Sequence, residues 1–293
     1  MTWVSDYKYR WYETFCMNIL RAGGHTPKHI AFVMDGNRRF AKVEHIEKVE
    51  GHSKGFDTLS NVLRWCLDLG INEVTTFAFS IENYKRSQEE VNGLFDLARD
   101  KFKRLIDEKD KLKEQGVCIR VIGNLSLLPT DLQELIHDAM IATEKNNKLF
   151  LNVAFSYTSR DEITQAVEKI LLDGDELQAE DISECLLDKC LYTRDSPEPD
   201  LLFRTSGETR ISDFLMWQLE STVLYFTKVL WPQLTIWLFL AGIFSYQKAS
   251  ISMQPYRRQL RLQRAEKAAR SNFYTNRVQI FLNYIFGCRN KLR

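Results

Sequence analysis

Six short apolar runs, at 29–34, 73–79, 117–122, 149–155, 201–203 and 224–226, alternate along this chain with stretches of helical period at 52–69, 88–115, 130–146, 159–172, 211–222 and 235–247. Few folds accept that order. Strand, helix and strand in succession close most readily as a parallel sheet with helices on its faces, and strands covered on both faces read as continuous apolar runs. The expected fold class is therefore α/β with a mainly parallel sheet. Ahead of the first run, Trp3, Tyr7, Trp11, Phe15 and Ile19 recur every fourth residue, which predicts an N-terminal amphipathic helix with an aromatic stripe. Such a stripe packs onto the domain, lids a greasy substrate or meets a membrane surface. A chain of 293 residues forms one large α/β domain or two small ones, with a substantial core. The expected segments are 1–26 (N-terminal helix), 27–247 (α/β region) and 248–293 (basic helical tail).

The chemistry gathers where strands end, which in open parallel sheets is where ligands sit. The run His29-Ile30-Ala31-Phe32-Val33-Met34 leads into Asp35-Gly36-Asn37-Arg38-Arg39. There a carboxylate suits a hard divalent cation, a glycine suits a turn, and two guanidinium forks match phosphate oxygens. The segment reads as a Mg²⁺-assisted diphosphate site, or equally as a turn in which Asp35 pairs with a neighbouring arginine. Leu201-Leu202-Phe203 runs into a second donor-rich loop, Arg204-Thr205-Ser206-Gly207-Glu208-Thr209-Arg210-Ile211-Ser212. Phe214, Leu215 and Trp217 predict a helix starting near Ile211 or Ser212, whose free N–H groups would suit an anion. A third strand end, Phe77-Ala78-Phe79-Ser80-Ile81-Glu82-Asn83-Tyr84-Lys85-Arg86, adds hydroxyl, amide and guanidinium groups.

In order and spacing, over roughly Pro27 to Gln247, these three segments resemble the signature motifs of the cis-prenyltransferases, the undecaprenyl diphosphate synthase-like family. Within it the chain most resembles the catalytic subunits of two-subunit eukaryotic enzymes that make dehydrodolichyl diphosphate. The resemblance implies a six-stranded, mostly parallel sheet ringed by helices. It implies an enzyme that condenses farnesyl diphosphate with successive isopentenyl diphosphates, giving a long polyprenyl diphosphate for dolichol synthesis and protein glycosylation. Asp35 would support Mg²⁺ on the allylic diphosphate; Gly36, Asn37, Arg38 and Arg39 would cradle that leaving group, with His52 and Arg86 nearby. Arg204, Arg210 and Ser212 match the residues that hold the diphosphate of isopentenyl diphosphate, and Ser80 and Asn83 match positions around the reacting carbons. Plainer roles stay open: strand-end caps for Ser80 and Asn83, a helix start for His52, a surface ion pair for Arg86. Phe56, Leu59, Leu63, Leu67, Leu94, Phe95, Leu97 and Phe102 lie at near-helical spacing and are either core or the wall of the family's hydrophobic tunnel.

Departures from the single-subunit pattern point to a partner. Lys48 stands where those enzymes have arginine, and Val223 aligns with their metal-supporting glutamate, with Glu220 nearby but off register. Their Arg-x-Gly motif is not visible after Gln247. Both absences match catalytic subunits that borrow the motif from a membrane-anchored partner resembling the Nogo-B receptor. The expectation is a heteromer, peripheral on the cytosolic face of the endoplasmic reticulum membrane.

Composition narrows the alternatives. The net charge of +1 hides a split: residues 247–293 carry eleven Lys and Arg against Glu266 alone, a net +10, which leaves −9 on the rest. A basic tail on an acidic body suits an acidic partner or an anionic surface. Six scattered cysteines without zinc spacing read as reduced thiols of a cytosol-facing protein. No signal peptide is expected, because Met1 to Arg10 lacks an apolar h-region, and Lys228 and Pro232 interrupt the most hydrophobic window. Two rivals remain. A non-catalytic partner subunit of the same fold would usually lack the Asp35–Arg38 element and the paired loop arginines. A nucleic-acid-binding module would explain Arg257, Arg261 and Arg264 on one helical face, but no nucleic-acid motif accompanies them.

Overall fold

The computed structural model describes residues 2–270 and 276–291. Its strands are β1 His29–Val33, β2 Glu73–Ser80, β3 Val117–Ile122, β4 Leu149–Tyr157, β5 Leu201–Arg204 and β6 Val223–Phe226. They form one sheet in the order β3-β4-β2-β1-β5-β6, and every neighbouring pair is parallel. Each strand falls within two residues of an apolar run, because strands covered on both faces are mostly apolar. All five residues of β1 are buried. The chain lays β2, β4 and β3 on one side of β1, then returns to place β5 and β6 on the other. The crevice beyond the carboxyl ends of β1 and β5, where the winding reverses, is the place such sheets bind ligands.

The helices are α1 Trp11–Ala22, α2 Asn37–Glu44, α3 Lys48–Leu69, α4 Gln88–Asp107, α5 Lys109–Gln115, α6 Thr130–Thr143, α7 Ser159–Asp173, α8 Glu184–Cys190, α9 Ile236–Arg270 and α10 Asn276–Lys291. The chain divides into two compact units, Met1–Thr158 with Glu198–Ser252, and Ser159–Pro197 with Met253–Arg293. The first holds the sheet and a core in which Phe32, Leu63, Trp65, Phe203, Trp231 and Phe239 are almost wholly buried. In the second, buried Glu162 accepts from the backbone and hydroxyl of Thr193, and Asp181 takes both arms of the Arg277 guanidinium. Among the described residues no helix is long and apolar enough to cross a membrane.

Three expectations need correction. The N-terminal helix begins at Trp11, not Trp3. Residues before it run as a strap bound to α3: Ser60 Oγ donates to the Thr2 carbonyl at 2.7 Å, and Ser5 N–H donates to the Ser60 carbonyl at 3.2 Å. Trp3 is buried, its indole N–H on the Lys101 carbonyl at 3.0 Å. Tertiary bonds claim backbone groups that a helix would have used. No helix forms over 211–222, because Ser212, Asp213 and Leu215 take φ of 58°, 57° and 51°, and left-handed residues cannot extend a right-handed helix. The helix expected to stop at 247 continues as α9 to Arg270, through Pro255, because the stretch after Pro255 is rich in good helix formers.

Candidate active site

Parallel register sets Val33 at the end of β1 beside Arg204 at the end of β5. Arg204 is drawn inside, its side chain 2% exposed, and donates from Nη2 to Asp35 Oδ2 at 3.1 Å. Its Nη1 donates to Ser212 Oγ at 2.9 Å and to the Arg210 carbonyl, while its buried Nε has no partner among the described residues. The Asp35 carbonyl is pinned by Thr205 Oγ1 at 2.8 Å and the Trp231 N–H at 3.0 Å. Gly36 makes the turn at φ 110°, where a Cβ would stand 3.0–3.1 Å from Leu230, so a side chain would meet strain and crowding together. From α2, Arg39 donates to the Ser206 carbonyl at 3.0 Å and lies 3.7 Å from Asp35 Oδ1 and 3.4 Å from Glu208, which also takes Arg210. The first two strand-end loops are thus one ionic network.

A second cluster lies close enough for Asp35 to stabilise the charge on Arg86. Here Glu90 Oε1 accepts from Arg86 at 2.9 Å and lies 3.6 Å from Arg38, and Oε2 accepts from Lys48 at 3.2 Å. Burial raises the Glu90 pKa, but the Lys48 hydrogen bond and the charges of Arg86, Arg38 and Lys48 outweigh it and leave the carboxyl below its ordinary range. His52, on α3, is partly buried, and its Nε2 is shut off from solvent and unpartnered among the described residues. Burial, then the charges of Arg86 and Arg38, push its pKa down to about 4 against a partial opposing pull from Glu90.

Behind these charges opens an apolar cavity of about 760 Å³, its mouth included, with Met34, Asn37 and His52 among its lining residues. Asn37 reaches this wall because Gly55 has no side chain: a Cβ there would fall 2.3 Å from Asn37 Oδ1. Phe56, Leu59, Leu94, Leu97 and Phe102 line the cavity, whereas Leu63, Leu67 and Phe95 pack into or against the core. Charged oxygen-binding groups at the entrance of a greasy chamber suit an amphiphile with an anionic head and a hydrocarbon tail.

Comparison with known proteins agrees. A family model described as putative undecaprenyl diphosphate synthase matches residues 33–254. The dehydrodolichyl diphosphate synthase complex subunit DHDDS of Homo sapiens is 57% identical over 249 residues, covering 84% of this chain and 74% of that protein. The chain belongs to the cis-prenyltransferase family. A tritrans,polycis-undecaprenyl-diphosphate synthase (geranylgeranyl-diphosphate specific) of Pyrococcus abyssi is 43% identical over 243 residues, 82% of this chain and 91% of that one. The crystal structure of lavandulyl diphosphate synthase from Lavandula x intermedia, in complex with dimethylallyl diphosphate, superposes with a TM-score of 0.71 at 32% identity, covering 76% of this chain and 95% of that one.

This cis-prenyltransferase brings Asp35, Gly36, Arg39, Arg204, Arg210 and Ser212 into the first cluster, and Arg38, His52 and Arg86 into the second. Ser80 and Asn83 bind each other's segment: Ser80 Oγ accepts from the Glu82 N–H at 3.2 Å, and Asn83 Oδ1 from the Ser80 N–H at 3.1 Å. Val223 begins β6 opposite Leu201, three rungs from the Arg204 end of the ladder. Among the described residues no three His, Cys, Asp or Glu side chains converge as a metal cage. The donor set still fits a hard divalent cation, since Asp35 is one-third exposed and such an ion is commonly held by one carboxylate plus phosphate oxygens and water. Sequence reasoning missed Trp231 and Lys101 in the cavity wall. The Lys101 ammonium rests 4.5 Å from the Phe56 ring centre, and burial lowers its pKa. No apolar period marks a lysine or a distant tryptophan.

His52 yields a pH prediction. The unfolded chain takes up a proton near pH 6.5 that the folded chain refuses until about pH 4, so stability falls as pH drops through that window. His52→Gln is expected to remove a slope on the order of 2–3 kcal/mol. Urea unfolding at pH 7 and pH 4.5 measures it; an unchanged slope in the variant would show that His52 is not its source.

Proposed function

We propose that this cis-prenyltransferase is the catalytic subunit of a heteromer that extends farnesyl diphosphate with successive isopentenyl diphosphates to a long-chain polyprenyl diphosphate feeding dolichol synthesis. The observation that carries this is the Asp35–Arg204 pair at the β1/β5 switch, set beside an apolar cavity whose wall includes Met34, Asn37 and His52. In each cycle the allylic C1–O bond breaks, C4 of isopentenyl diphosphate bonds to C1, pyrophosphate departs and a proton is lost from C2. Positive charge grows on the allylic carbons and negative charge on the leaving oxygens. Arg38, Arg39 and Arg86 meet the leaving oxygens with fixed donors, which typically supplies the largest single catalytic contribution. The apolar wall excludes water that would otherwise trap the allylic cation. Mg²⁺ bound through Asp35 would neutralise part of the diphosphate charge. Arg204, Arg210 and Ser212 would hold the second diphosphate. Asn83, an amide already engaged with Ser80, is no base for the departing proton.

A partner subunit is supported by the printed name of the human relative, a complex subunit. The Nogo-B-receptor-like identity of that partner rests on the motif resemblance. The cytosolic face of the endoplasmic reticulum as its location rests on the motif resemblance, and peripheral membrane attachment as such is supported by α1. Trp11, Phe15 and Ile19 share one face of it and are 80%, 59% and 55% exposed, and Tyr12 stacks on half-exposed Trp237 at 5.7 Å. Aromatic faces of this kind sink into the headgroup boundary.

Three outcomes test the reading. Asp35→Asn, which keeps the shape around Arg204, is expected to lower kcat at least about 100-fold with little change in Tm; wild-type turnover would remove Asp35 from the chemistry. Arg210→Ala is expected to raise KM for isopentenyl diphosphate about tenfold while sparing KM for farnesyl diphosphate; equal loss for both would argue against separate sites. Trp11→Ser with Phe15→Ser is expected to abolish flotation with phosphatidylcholine–phosphatidylserine vesicles while soluble-substrate turnover persists; undiminished flotation would place membrane contact elsewhere.

A further inference from the structure

Glu90 stands in the first turn of α4, its N–H donated to Ser87 Oγ and its side chain 8% exposed. Its two oxygens are shared by three cations that other segments deliver. Arg38 comes from α2, Lys48 from the first residue of α3, and Arg86 from the turn ahead of α4. No other described carboxylate is paired with Arg38, Lys48 or Arg86. Arg38 and Arg86, with His52, are among the groups read above as the allylic-diphosphate site, and Lys48 joins them on the same carboxylate. Carboxylate and diphosphate offer guanidinium forks the same kind of oxygen, so each N–H given to Glu90 is withheld from a substrate.

We propose that Glu90 is an internal competitor for the allylic-diphosphate site: its carboxylate exchanges with the diphosphate on Arg38, Lys48 and Arg86 and so weakens the hold on departing pyrophosphate. The inference deepens the proposed function and rests on it. Stepwise elongation gives the exchange a purpose, because pyrophosphate must leave after every addition before the lengthened chain's diphosphate can take its place. Three cations with no built-in anion would keep the product. Glu90 touches no reacting atom and is a positioning residue. It also sits at the head of the helix whose later turns bring Leu94, Leu97 and Lys101 to the cavity wall.

The test compares wild type, Glu90→Gln and Glu90→Asp as full-length chains with the partner subunit. Titration calorimetry with inorganic pyrophosphate and Mg²⁺ is expected to show binding about tenfold tighter in E90Q, one step of about 1.4 kcal/mol. E90D, its charge drawn back by one methylene, is expected to fall between E90Q and wild type. In turnover, KM for farnesyl diphosphate and kcat should fall together in E90Q while KM for isopentenyl diphosphate stays put. A merely structural Glu90 would not produce that split. Should E90Q fail to fold, E90D alone decides the matter. Pyrophosphate binding equal to or weaker than wild type in whichever variant folds overturns the proposal. Absence of prenyl transfer by the wild-type complex would instead sink the functional reading, and the pyrophosphate comparison would still be readable.

Discussion

The buried guanidinium of Arg204 is the constraint around which the site is built. Taking such a group out of water costs several kcal/mol unless its donors are met. Here the two terminal nitrogens are met by Asp35, by Ser212 and by a carbonyl of its own loop, and only the buried Nε lacks a partner among the described residues. That arrangement requires β1 and β5 to be neighbours in one register, so the sheet order and the site are a single fact. It also requires the loop after β5 to double back, which the left-handed residues at Ser206, Ser212, Asp213 and Leu215 accomplish. A helix over 211–222 would have carried Ser212 along a straight axis. The strained loop returns its hydroxyl to 2.9 Å from Arg204.

Much of this was legible in the chain and some was not. The apolar runs placed all six strands, because interior strands are mostly apolar, and the polar exceptions His29, Glu73, Thr75 and Asn152 hydrogen-bond to one another across the sheet. The Arg204 loop was recognisable because two arginines following a buried strand are hard to account for except by anion chemistry. The Asp35 segment reads equally as a turn with a paired arginine, and Asp35 does lie 3.7 Å from Arg39 and 3.1 Å from Arg204. The N-terminal stripe misled for a physical reason: Trp3 and Trp11 share a period but not an environment. One is buried against Phe56 and Phe102, the other is four-fifths exposed. The tunnel stripes show the same limit, since Leu59 lines the cavity while Leu63, one turn on, fills the core. Period reports a helix face; which neighbour that face meets is decided by tertiary packing. The role of Glu90 was invisible for the same cause, because the partners at 38, 48 and 86 converge only in the fold.

Charge balance divides the site into two places of different character. Around Asp35, the three guanidiniums of Arg39, Arg204 and Arg210 face the two carboxylates of Asp35 and Glu208, so the network is nearly self-compensated. Around Glu90, three cations face a single carboxylate, with His52 held neutral beside them. A neutral His52 matters: one further charge in that cluster would bind pyrophosphate harder and repel Arg86, whose own pKa burial and Arg38 already lower. An enzyme that must grip a diphosphate while its bond to carbon breaks, and then release it, needs a surplus of positive charge that is small and adjustable. The compensated cluster supplies rigidity, because a guanidinium already committed to Asp35 and Ser212 cannot wander. The undercompensated cluster supplies the surplus, and its single carboxylate sits on the helix that also walls the cavity for the tail. On the proposed reading one element, α4, therefore meets both the head and the tail of the same substrate.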